Sequence, residues 1–241
     1  MSNFITRTIA SQHLKMDWNV SYIEGTADYP ILYLLHGATG NHTDFYQYTQ
    51  LDRFINKFNY QGSIVFVDGF NSFYLDHHLK MESALVKELF PTMETQLKHN
   101  QKRVIAGISM GGFGALRLSL KYPHFFEQCF AISPAIWFDP CDSLLTDWFL
   151  FKTSSGTFNQ ALWNKEHPIN YLQETKTKFL IINNKQDEIT PYQDSVQFYE
   201  KSKQILDIEL IIEDEGAHNW LYWNQHIPKI LKTIKENNFM Q

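Results

Sequence analysis

A chain of 241 residues with 44% hydrophobic and 20% charged side chains has the composition of a globular α/β domain with room for a sizeable core. Its net charge of -5, with lysines and arginines scattered along the chain, excludes the basic footprint of a nucleic-acid binder and argues against an anionic membrane surface. Two cysteines, Cys129 and Cys141, cannot build a secreted disulfide framework; no signal-peptide core and no membrane-length apolar run is present, so a cytoplasmic protein is expected.

The first elements read as short strands at 4–10 (FITRTIA) and 16–24 (MDWNVSYIE), broken by Gly25 and Pro30. The continuous apolar run 31–37 (ILYLLHG) suits a strand buried on both faces of a parallel sheet. A helix with regular spacing follows over 44–58, then a second buried strand at 62–69 (GSIVFVDG). The pattern over 79–98 predicts a helix that Pro91 kinks or divides. Further strands are expected at 102–108, 128–135, 178–187 and 207–216, with helices between and after them. This alternation predicts one α/β domain over 1–241 with a mostly parallel sheet covered by helices on both faces. Cys129, in the run CFAIS, reads as a small core residue.

Aromatic residues make up 15% of the chain, enough to furnish a binding cleft as well as a core. Many fall in residues 136–170, which break the alternation and read as a short insertion over the sheet. Trp137, Phe138, Trp148, Phe149 and Trp163 belong to it. Trp137, Trp148 and the later Trp220 are the expected substrate contacts, on the habit of such sheets to bind ligands beyond their strand C-termini.

The stretch VIAGISMGGFGAL, 104–116, carries the chemistry. A strand pattern runs into Gly107-Ile108-Ser109-Met110-Gly111 and then into a helix pattern. This is the G-x-S-x-G context of a nucleophile elbow, in which small residues flank a serine on a tight turn and the helix start offers N–H groups to an oxyanion. Gly112, Gly114 and Ala115 would let that helix lie close to the sheet. A serine needs a base. His218, in EGAHNW after the last strand, holds the expected position, with His226 a weaker competitor inside a helix. The orienting carboxylate is expected just past the preceding strand, where Asp187 is preferred to its neighbour Glu188, while Asp194 falls in the next helix and should be solvated. The oxyanion donors are expected to be the N–H groups of Met110 and of Ala38, the latter in LLHGATG, with His36 bracing that loop. His77 and His78 lack a third ligand at zinc spacing and read as a solvated pair, so no metal is expected.

Four segments in this order, LYLLHGATGNHTDF, GISMGGFGALRL, NNKQDE and EGAHNW, together resemble the esterase D family of α/β-hydrolases, and most of all the small bacterial tributyrin (acetyl) esterases. The loop VDGFNSFYLD resembles that branch too. The resemblance spans about 15–235 and implies cofactor-free hydrolysis of short-chain acyl esters through an acyl-serine, with Ser109, Asp187 and His218 as catalytic residues and Ala38 and Met110 as oxyanion donors. Within the family, S-formylglutathione hydrolases usually carry a cysteine in the loop after the His-Gly pair, and HGATGNHTDF has none. Thioester hydrolysis and feruloyl ester hydrolysis stay open as alternatives, and a non-catalytic binding module stands as the reading from another class. The expected partner is a small-molecule ester, and the oligomeric state is left open.

Overall fold

The computed structural model describes residues 3–99, 102–140, 151–153 and 155–239. Eight strands form a single sheet in the order β1-β2-β4-β3-β5-β6-β7-β8. They are β1 (Phe4–Ser11), β2 (Met16–Ile23), β3 (Ile31–Leu35), β4 (Ile64–Val67), β5 (Arg103–Ile108), β6 (Gln128–Ile132), β7 (Lys178–Asn184) and β8 (Asp207–Glu213). β2 runs antiparallel to both β1 and β4, and the remaining neighbours are parallel. This is the α/β-hydrolase fold, as the strand and helix alternation requires.

The apolar runs have a simple cause. Along β3, Ile31, Tyr33 and Leu35 enter one hydrophobic core, and Leu32 and Leu34 enter the core on the opposite face. A strand covered by helices on both sides must be apolar at every position. Met110, Phe113 and Leu116 of the helix after β5 fill the first core, while Tyr222, Trp223 and Ile230 of the C-terminal helix fill the second.

Two local expectations needed correction and a third gained detail. The helix expected over 44–58 is two helices, α1 (Asp44–Tyr48) and α2 (Leu51–Phe58). Thr49 separates them with an extended backbone, φ -120° and ψ 169°. Its hydroxyl donates to the Phe45 carbonyl at 2.5 Å and accepts the Leu51 N–H at 3.2 Å, closing one helix and opening the next. The helix expected to be kinked or divided at Pro91 is interrupted by a π segment: α3 (Met81–Ala84) passes through a π turn (Leu85–Leu89) into α4 (Phe90–Gln96). The wider turn lies where the proline ring would press on the carbonyl four residues back. Asp194, in the first turn of a later helix, is partly buried and accepts the Phe138 N–H at 3.1 Å, so it anchors the start of the aromatic segment instead of meeting solvent.

The helices that complete the frame are α5 (Met110–Lys121), α6 (Gln160–Glu166), α7 (Tyr192–Ser202) and α8 (Trp220–Phe239). Part of the aromatic segment is core. Phe151 and Trp163 are 0% and 1% exposed and pack edge-on against Phe73 at 5.0 Å and 6.4 Å. Beneath them Arg117 of α5 is buried and pairs with Glu82 of α3 at 2.5 Å and with Glu166 of α6.

Candidate active site

β5 ends at Ile108 and α5 starts at Met110, so Ser109 is the whole connection. Its backbone lies at φ 53°, ψ -118°, a conformation that costs a non-glycine residue and is held by its surroundings. The Ser109 N–H donates to the Ile132 carbonyl at 3.0 Å, and its carbonyl accepts from Phe113 at 3.1 Å and from Ala135 at 3.0 Å. The flanking glycines are required by space. A Cβ on Gly107 would sit 2.1 Å from the Gly111 carbonyl oxygen, and one on Gly111 would sit 2.0 Å from that of Leu35. Gly114 differs from expectation. Its missing side chain makes room for the Tyr74 ring, which would lie 2.5 Å from a Cβ, and not for the sheet.

The turn aims the serine hydroxyl at His218. Ser109 Oγ donates to Nε2 at 2.9 Å, and Nδ1–H donates to Asp187 Oδ2 at 2.8 Å. His218 arrives on the loop after β8; Gly216 lets that loop pass over Asn184, whose side chain leaves no room for a Cβ. Asp187 follows β7, and its side chain is fully buried. Burial pushes its carboxyl up, but the hydrogen bond to His218 and that ring's charge, then the N–H and hydroxyl of Thr190, outweigh burial and hold the group below its ordinary range. Thr190 donates its N–H to Oδ1 at 2.8 Å and its hydroxyl to Oδ2 at 3.0 Å. Glu188 is exposed. His226 is buried in α8, 3.2 Å from Glu213, and the hydrogen bond to Ser109 Oγ is made by His218 instead.

Ala38 and Met110 flank Ser109 in a pocket of about 640 Å³. The Ala38 loop is braced through His36, which is buried, donates from Nδ1 to the Gly37 carbonyl at 2.6 Å and accepts the Gly69 N–H on Nε2 at 2.8 Å. Tyr74 adds a third tie, its hydroxyl donating to the His36 carbonyl at 3.0 Å.

Trp137 and Trp220 line the pocket, whereas Trp148 and Phe149 lie outside the described residues. Trp137 is fixed by its indole N–H on the Ile189 carbonyl at 2.9 Å. Phe73, Tyr48, Asp44, Ile189 and Trp223 also line the pocket and were not singled out from sequence. Trp223 was foreshadowed by its place one helical turn after Trp220, and Phe73 by its place in the aromatic loop after β4. His77 and His78 pack ring to ring at 4.2 Å, His78 exposed and His77 partly so. Among the described residues no group of three or more His, Cys, Asp or Glu is placed to hold a metal ion, and no helix is long and apolar enough to cross a membrane.

A serine on a strained elbow, hydrogen-bonded through a histidine to a buried aspartate at the C-terminal edge of such a sheet, defines a serine hydrolase of the α/β class. The model of the Esterase family matches residues 11–234, and the chain belongs to that family; it is a serine ester hydrolase. It is 27% identical over 231 residues to the acetyl esterase of Caldicellulosiruptor saccharolyticus, covering 85% of this chain and 83% of that protein. Among solved structures it is similar to the substrate-bound, fluorophosphonate-binding serine hydrolase FphF of Staphylococcus aureus, with 22% identity, a TM-score of 0.77 and coverage of 97% and 98% of the two chains. It is likewise similar to the S-formylglutathione hydrolase FrmB of the same organism, with 21% identity, a TM-score of 0.78 and coverage of 97% and 99%.

Proposed function

We propose that Ser109, His218 and Asp187 catalyse hydrolysis of short-chain acyl esters of small molecules, without a cofactor. The observation that carries the reading is the unbroken chain of hydrogen bonds from Ser109 Oγ through His218 to Asp187. In this mechanism Nε2 takes the hydroxyl proton as Oγ bonds to the ester carbonyl carbon. The carbonyl oxygen becomes an oxyanion facing the N–H groups of Ala38 and Met110, which were oriented before reaction and so stabilise it at no reorganisation cost. Collapse breaks the bond to the alcohol oxygen, which leaves with the proton from Nε2. Water, deprotonated by the same nitrogen, then attacks the acyl-serine and releases the acid. Asp187 holds the tautomer with the proton on Nδ1 and stabilises the imidazolium.

Trp137 forms one wall for the acyl half and Trp220 one for the alcohol half; both line the pocket. Among the described residues no lysine or arginine lines it, which disfavours the anionic glutathione thioester. The reading extends to a cytoplasmic protein folding as one domain, with the described part of 136–170 packed over the site. Labelling with a fluorophosphonate probe tests the nucleophile. Modification at Ser109, together with a loss of kcat of about four to six orders of magnitude in Ser109→Ala, supports the reading; labelling elsewhere overturns it.

A further inference from the structure

The alcohol half of the substrate has a defined side of the site. His218 must return its proton to the leaving oxygen, so the alcohol lies on the His218 side of Ser109. The surface there is a run of aromatic rings. Trp223 packs edge-on against the His218 ring at 5.1 Å, Trp220 edge-on against Trp223 at 5.1 Å, and Tyr48 lies 5.4 Å from Trp220. Asp44 stands four residues before Tyr48 on α1, a spacing that sets both side chains on one helix face. Asp44, Tyr48, Trp220 and Trp223 all line the pocket.

Asp44 is an unusual wall residue. It is 6% exposed, and among the described residues its carboxylate accepts one hydrogen bond, from the Asn41 N–H to Oδ2 at 3.2 Å. Oδ1 has no such partner. Burial pushes the carboxyl above its ordinary range. An under-partnered carboxylate on a largely buried wall gains from a positive charge brought beside it, and the faces of Trp and Tyr attract the same charge through their quadrupoles. No lysine or arginine stands on the described lining, and the His36 and His42 rings near the carboxyl offset only part of the cost of its burial.

The geometry points to a subsite for a cationic alcohol half, an ammonium or quaternary ammonium group held over Trp220 and Tyr48 with Asp44 as its counter-ion. This rests on the reading of Ser109 as nucleophile and His218 as the group that protonates the alcohol. An alcohol half bearing a carboxylate is repelled by the same residues.

The test compares acetylcholine with its neutral isostere, 3,3-dimethylbutyl acetate, and with the anionic acetoxyacetate. Expected is a kcat/KM about tenfold higher for the cation than for the isostere, lower still for the anion, and a cation advantage that shrinks as salt is raised. Asp44→Asn keeps an oxygen for the Asn41 N–H and should bring the cation-to-isostere ratio close to one; Trp220→Ala should reduce it several-fold. Tetraethylammonium should inhibit hydrolysis of p-nitrophenyl butyrate competitively, and more weakly in Asp44→Asn. A wild-type ratio near or below one overturns the subsite, as does a ratio that Asp44→Asn leaves intact. Failure to hydrolyse any of the three acetates or the butyrate would instead strike at the esterase reading itself.

Discussion

The side-chain carbonyl of Asn71 accepts the Thr39 N–H at 2.7 Å, and Thr39 is held in the left-handed region at φ 62°. Asn71 sits on the loop after β4, Thr39 next to Ala38 on the loop after β3. A β-branched residue disfavours that conformation, so the bond from Asn71 supplies what the backbone lacks. Loss of it should let the Ala38 peptide turn away from the oxyanion. Asn71→Ala is expected to lower kcat about tenfold, a fraction of what loss of a whole oxyanion donor costs, with KM little changed. Asn71→Asp retains the acceptor and should recover most of the rate. Thr39→Gly, for which φ near 62° is unstrained, should recover part of it in the alanine background. A purely structural role would lower the melting temperature without this pattern of rescue.

Asp187 and Glu188 are neighbours with opposite fates. Asp187→Ala should cost several orders of magnitude in kcat and Glu188→Ala little, because only the first touches His218. Since Asp187 is held below the ordinary carboxylate range, it stays ionised well below neutral pH and should add no proton of its own to the acid limb of kcat/KM, which is then expected to fall as a single-proton step. A steeper limb would show the carboxylate taking up a proton as well.

Acyl length follows from the wall opposite. Trp137 is pinned at both ends, donating to the Ile189 carbonyl and accepting the Trp163 indole N–H on its own carbonyl at 3.1 Å. Each methylene adds about 0.8 kcal/mol only while it finds surface to bury against, and a fixed tryptophan limits that depth. Activity on p-nitrophenyl esters should peak between acetate and butyrate and fall sharply by octanoate. Trp137→Ala should shift the peak to longer chains. A wild-type preference for octanoate or methyl ferulate would mean that the aromatic wall is an open binding surface.

His167 joins the aromatic segment to the frame. Its Nε2–H donates to the Ile136 carbonyl at 3.2 Å and its Nδ1 accepts the Ile169 N–H at 3.3 Å. Burial lowers its pKa to about 4, against roughly 6.5 in an unfolded chain. Between these values the unfolded state binds more protons than the folded one, so stability rises with pH. The contribution is complete above the higher value and is lost as pH falls toward the lower, on the order of 3 kcal/mol. Urea unfolding at pH 7 and pH 4.5 should show the loss, and His167→Gln, which cannot titrate, should flatten it.

Arg117 is 2% exposed and paired with Glu82 and Glu166. Removing one partner of a buried pair strands the other, at a cost of about 3–5 kcal/mol. Arg117→Ala should show that loss in denaturant melts, and adding Glu82→Gln should return part of it. If the two substitutions merely add, the pair is not coupled.

Much of this molecule is local, and local order is written in spacing. The apolar run from Ile31 to Leu35 had to be a strand buried on both faces, and Gly107, Ser109 and Gly111 had to be an elbow, because contacts within a strand, turn and helix depend on neighbours a few residues away. The places of His218 and Asp187 after successive strands were legible for the same reason, once the strand order was assumed. What the tertiary structure decided lies between segments far apart in the chain. Glycine at 114 serves the Tyr74 ring, Asn71 holds Thr39, Asp194 holds Phe138, and Asp44 meets Trp220 in one pocket wall. In each case two segments far apart in the chain are brought together by the order in which the strands pair, and no periodicity in either segment records the partner that the other will supply.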